Sequence, residues 1–134
     1  MRLTFALLAA AALASGADAP CDDILAGLHK KPKDLEFVGC KQRADLQGQP
    51  REASYRVAGS RAAAVESYLA KELKIKKLRR TCCVWESTEN SYRDRKARLY
   101  TITMSTEENV IGSRSQWPKI PYFYVTVDQY QEEP

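Results

Sequence analysis

Residues 78–104 read LRRTCCVWESTENSYRDRKARLYTITM, and the reading of this stretch decides the fold. Leu78, Arg80, Cys82 and Val84 fall on one side of an alternating pattern, with Thr81, Cys83 and Trp85 on the other. A period of two marks a strand. Ser87 to Ser91 supplies polar turn residues. Arg98 to Met104 is again strand-like, rich in Thr and Tyr. Two strands around a short polar turn predict an antiparallel hairpin turning near residue 89.

Upstream of Ile75 the period becomes helical. Ala62, Val65, Tyr68, Leu69 and Leu73 form one stripe, and Ser60 reads as the N-cap. Further upstream, Asp22 to Lys31 reads as a short helix with acids at its start and bases at its end, as the helix dipole favours. Pro32 stops it. Leu35 to Cys40 and Glu52 to Val57 read as a hairpin, joined through the turn residues Gln47-Gly48-Gln49-Pro50. Downstream, Thr106 to Pro121 is a long connection, and Tyr122 to Tyr130 is the last strand. The order α-β-β-α-β-β-β predicts an α+β domain: a five-stranded antiparallel sheet, stapled by disulfides, with two helices on one face.

Residues 1–19, MRLTFALLAAAALASGADA, have the layout of a secretory signal peptide: Arg2, an apolar run from Leu3 to Leu13, then small residues. The run is about half the ~20 residues of a spanning helix, so no membrane span is expected. Cleavage after Ala17 is preferred; cleavage after Ala19 is the alternative and sets Pro20 just past the cut. The expected organisation is a signal over 1–17 and a single domain over 18–134, in the periplasm or secreted. The chain's 134 residues fit one domain. With 44% hydrophobic and 28% charged residues it is neither a disordered chain nor a membrane bundle.

Export makes the even set Cys21, Cys40, Cys82 and Cys83 a disulfide framework. A bond between the adjacent cysteines is strained, and on a strand their sulfurs point to opposite faces. Cys21 and Cys40 are therefore each expected to bond one of the adjacent pair, in either of two pairings. A metal site is not expected, because there is no C-x-x-C spacing and the only histidine is His29.

Cys21-Asp22-Asp23-Ile24-Leu25, then Lys31 to Cys40 (KPKDLEFVGC), Tyr55-Arg56-Val57-Ala58-Gly59 and above all Cys82-Cys83-Val84-Trp85-Glu86 carry a resemblance. The chain resembles an uncharacterised family of small exported bacterial proteins, the domain of unknown function 4952. The resemblance implies an exported, disulfide-bonded domain and carries no activity and no catalytic residue.

The search for catalytic residues is negative. No nucleophile elbow and no phosphate loop is present, and bonded cysteines offer no thiolate. Glu86, Asp128 and Glu36 are the least ordinary acids, and a carboxylate pair is the one route to hydrolysis left. No catalytic residue and no cofactor is assigned.

Charge placement is more informative. Lys71 to Arg80 carries six bases against Glu72 alone, and Arg93 to Arg98 carries four against Asp94. A hairpin turning near residue 89 would set the clusters roughly 10 Å apart, close enough to act together. Arg79, Arg80, Arg95 and Lys96 are therefore candidate binding residues. Aromatics gather near the C-terminus. Tyr122 and Tyr124 share a strand face opposite Phe123, Val125 and Val127, and Trp117 lies in the long connection. Trp117, Tyr122 and Tyr124 are candidate partner anchors. The expected function is a non-enzymatic binding protein, in its most concrete form an inhibitor or immunity-type protein for a partner enzyme. An envelope module for anionic glycolipid or cell wall, and a small carboxylate-dependent hydrolase, are the alternatives. Export argues against a nucleic-acid partner.

Overall fold

The computed structural model describes residues 21–134. The expected signal over 1–17, and both cleavage points, lie outside the described residues. The elements are α1 (Ile24–Gly27), β1 (Glu36–Gln42), β2 (Arg51–Ala58), α2 (Ala62–Leu73), β3 (Arg79–Thr81), β4 (Val84–Arg93), β5 (Leu99–Thr106) and β6 (Tyr122–Gln129). Short 3-10 turns cover Gly59–Arg61 and Arg114–Lys119. The strands form one antiparallel sheet in the order β1-β2-β6-β5-β4-β3.

The fold is α+β, as expected, but the sheet has six strands rather than five. The stretch 78–104 holds three of them. The chain reverses at Cys82-Cys83, where Cys82 takes a φ of 51°, and again over Asp94 to Arg98. Ser87 to Ser91, expected as the turn, stays inside β4 as a bulge between Ser87 and Asn90. Long-range partners explain this. Asn90 Nδ2 donates to Ser87 Oγ and to the Ile102 carbonyl, while its Oδ1 accepts from Lys76 N–H at 2.8 Å. The turn-forming side chains thus tie the segment after α2 onto the sheet.

The disulfides differ from expectation in the same region. Cys21 bonds Cys40, with Cα atoms 5.4 Å apart, and Cys82 bonds Cys83. Both expected pairings are overturned. The adjacent cysteines occupy a turn rather than a strand, so their sulfurs are not forced to opposite faces.

One face of the sheet is buried. Ala53, Tyr55 and Val57 of β2, Phe123, Val125 and Val127 of β6, and Tyr100, Ile102 and Met104 of β5 alternate inward. Leu25 of α1 and Val65, Leu69 and Leu73 of α2 belong to the same cluster, so both helices cover this face. α1 is shorter than expected and is capped by Asp23, whose carboxylate accepts from Ala26 N–H. Ser60 does not cap α2; it sits in the 3-10 turn that feeds the helix. Gly59 is required there, because a Cβ would collide with the carbonyls of Trp117 and Ile120.

Candidate functional site

The two basic clusters are not one patch. Arg79 pairs in register with Glu86 near the start of β4, while Arg95 and Lys96 lie in the turn beyond its other end. Eight residues separate Glu86 from Asp94, roughly 26 Å along a strand. That is about three Debye lengths at physiological salt. Arg80 is also committed, since its guanidinium donates to the side chain and backbone carbonyls of Asn109. Arg79 remains exposed. The expectation of a shared patch failed because the hairpin turns at Cys82-Cys83 and not near residue 89.

Trp117 is 1% exposed and is no surface anchor. Its ring meets Trp85 edge-on at 5.3 Å and Phe123 at 4.8 Å, and the Arg114 guanidinium lies 4.6 Å from its centroid. The connection that carries it folds onto the core. Arg114 continues inward with a bidentate contact to Glu66 at 2.8 Å on both arms, and Glu66 also accepts from Leu78 N–H. Sequence reading missed this pair. Its signal was Glu66 itself, four residues after Ala62 and three before Leu69, squarely within the apolar stripe of α2.

Tyr122 and Tyr124 are where the alternation predicts, on the face the helices do not cover. Register assembles that face row by row. Glu36, Arg56, Tyr124, Ser105 and Glu86 lie side by side on β1, β2, β6, β5 and β4. Ser54, Thr126 and Thr103 form the next row, and Glu52, Asp128 and Thr101 the one beyond. Arg56 organises the aromatic corner: Nε donates to Glu36 at 2.8 Å and the guanidinium sits 4.6 Å from the Tyr122 centroid. The Arg56 hydrogen bond, then its charge, hold the Glu36 carboxyl below its ordinary range. Tyr122 and Tyr124 rings are 6.5 Å apart. The Tyr124 hydroxyl is pushed up by burial and by Glu107.

The three suspected acids do not meet. Glu36 and Glu86 share a row but stand four strand spacings apart, roughly 19 Å, and Asp128 is roughly 16 Å from either. Hydrolytic carboxylates work at about 5–9.5 Å. The register instead sets Asp128 directly against Glu52. Burial, then the Glu52 charge, raise the Asp128 carboxyl above its ordinary range. One of its oxygens is buried without a hydrogen-bond partner among the described residues; the other meets the Thr101 hydroxyl at a long 3.4 Å. Glu52 has Arg43 and Lys41 as counter-ions. Only the β2–β6 register reveals this pair, since its members are 76 positions apart.

Among the described residues no group of three or more His, Cys, Asp or Glu is placed to hold a metal ion. No helix of the described residues is long and apolar enough to cross a membrane. What the uncovered face offers is breadth: rows of hydroxyls edged by Arg56, Tyr122 and Tyr124.

Residues 10–85, more than half of the chain, match the family model described as a domain of unknown function, DUF4952. The match spans all four cysteines and ends at Trp85. No curated protein and no solved structure matches the chain.

Proposed function

The chain belongs to the DUF4952 family, which assigns it no activity, and from that premise we propose an exported, non-enzymatic binding protein that presents its uncovered sheet face to a partner protein. Its most concrete form is an inhibitor or immunity-type protein seated on a partner enzyme. One observation carries the reading: both helices cover one sheet face, and the other is left bare with tyrosines and an arginine on it. Tyr and Arg are enriched where protein interfaces concentrate their energy. An open sheet face several strands wide offers the breadth of contact that a protein partner needs. The signal-like residues 1–17 and the pairing of all four cysteines support export to an oxidising compartment.

The test is affinity capture from the native host with the mature, oxidised protein, beside Arg56→Ala and Tyr124→Ala variants. The expected result is one stoichiometric protein partner, retained by the wild type and lost by both variants. A partner retained equally by all three proteins, or no partner at all, would overturn the reading.

A further inference from the structure

We infer a second site, on the helix-covered side of the sheet, that binds an anionic group of the phosphate-ester class. It is a cleft of about 710 Å³ between the end of α1 and the β4–β5 turn. Lys30 reaches it from the segment that follows α1, and Arg95, Lys96 and Arg98 reach it from the turn. Tyr92 forms part of its wall, half-buried, with the Lys30 ammonium 5.9 Å from its ring centroid. Among the described residues Asp94 is the only acid lining the cleft, and its charge is already spent. Its carboxylate accepts from the backbone N–H groups of Lys96 and Arg98, from Arg98 Nε at 2.7 Å and from the Tyr100 hydroxyl.

Those bonds do two things. They fix the turn, so Arg95 and Lys96 are presented by a rigid support. They also leave Arg95 and Lys96 uncommitted beside two cations already paired, Arg98 with Asp94 and Lys30 with Glu72 at 3.0 Å. Neither Arg95 nor Lys96 has an ion-pair partner among the described residues. The groove beside β3 offers less. Lys76, Lys77, Arg79 and Arg80 line it together with Glu86 and Glu89, and Arg80 is held by Asn109. A compact dianion gains most where several fixed donors converge and no free acid competes. The cleft sets Arg95 and Lys96 beside no unpaired acid, whereas Glu86 and Glu89 stand in the β3 groove without ion-pair partners among the described residues.

The experiment is a titration of the mature, oxidised protein with inorganic phosphate, followed by backbone amide NMR shifts. Saturable shifts at His29, Lys30, Arg95 and Lys96 are expected. The double variant Arg95→Gln/Lys96→Gln should weaken binding by about tenfold or more. The control Lys77→Gln/Arg79→Gln removes the same charge from the β3 groove and should change binding less than about twofold. Both pairs are solvent-exposed and lack ion pairs, so neither variant threatens folding. Equal weakening by the two variants, or shifts that never saturate, would overturn the proposal. Vesicles containing phosphatidylglycerol separate the two sources of the group. Co-sedimentation lost only in the Arg95/Lys96 variant assigns a lipid headgroup. Saturable phosphate binding without co-sedimentation assigns a free phosphate ester.

Discussion

Phe123 and Tyr124 are neighbours on β6, yet one is fully buried under the helices and the other looks out from the bare face. The same contrast runs across the sheet. Val57, Val125 and Met104 face the core, while Ser54, Thr126 and Thr103 face away from it. Both sets suit an extended backbone, because Val, Tyr, Phe and Thr all favour strands. They differ in what they require of their surroundings. The inner set must be covered, and the outer set tolerates water while still offering hydroxyls and aromatic edges. Stability is thus concentrated on one face, and recognition is free to occupy the other.

Truncation at the two neighbours tests the contrast most severely. Phe123→Ala opens a cavity beside Trp117 and should cost about 3–5 kcal/mol in denaturant unfolding. If Tyr124→Ala costs as much, the bare face is packed structure and the contrast fails. Ion pairs sharpen the same point. Arg114→Met leaves the Glu66 carboxylate, 2% exposed, without its bidentate partner, and should cost about 3 kcal/mol. Arg56→Met breaks the exposed Glu36 pair on the bare face, and should leave the unfolding midpoint unchanged in moderate salt. Comparable losses from the two would mean that the bare face carries structural charge.

The bare face does contain one energetic liability. Asp128 has its folded-state pKa raised by burial and by Glu52. A raised carboxyl favours folding while protonated, and that contribution is lost as pH rises through its folded value. Asp128→Asn should therefore stabilise the protein at neutral pH, by about 1 kcal/mol, with the gain vanishing near pH 3. A gain that persists at pH 3 would mean that charge is not its cause. Asp94 carries the opposite sign. Burial opposes its ionisation, but the Arg98 and Lys96 backbone amides, the Arg98 side chain and the Tyr100 hydroxyl outweigh that and lower it to about 2. Its contribution is present above pH 4 and disappears as pH falls toward 2. Asp94→Asn should flatten that acid limb in a pH series of unfolding midpoints.

The alternation of Tyr122 to Val127 and the stripe of α2 were legible because period alone encodes sidedness. The reversal at Cys82-Cys83 was not, because it depends on Cys82 entering the left-handed region, which composition does not announce. Ser87 to Ser91 has the chemistry of a turn, and only distant partners, Lys76 and Ile102, keep it in the sheet. Trp117 shows the same limit of local reading: a loop's sequence does not say whether its tryptophan faces solvent or Phe123. For the candidate sites, Arg95 and Lys96 were visible as charges and Tyr124 as an outward residue. Lys30, which completes the basic cleft from 65 residues upstream, and Asp128 beside Glu52 required the fold.

Tyr124→Ala, with only a small expected effect on stability, separates recognition from packing most cleanly. Among the described residues the Tyr124 hydroxyl has only a long contact to Glu107, 3.4 Å, and its ring meets Tyr122 at 6.5 Å. Cross-strand side-chain pairs on such a surface are worth about 0.2–1 kcal/mol, so unfolding free energy should fall by less than about 1 kcal/mol. Loss of an anchoring tyrosine from an interface costs about 2 kcal/mol or more, close to thirtyfold in affinity. Binding to a captured partner should therefore fall by at least that factor while the unfolding midpoint barely moves. Tyr124→Phe keeps the ring and should retain most of the affinity. If Tyr124→Ala shifts the midpoint and leaves binding intact, the tyrosine serves the sheet, and the interface must be sought on the basic cleft across the molecule.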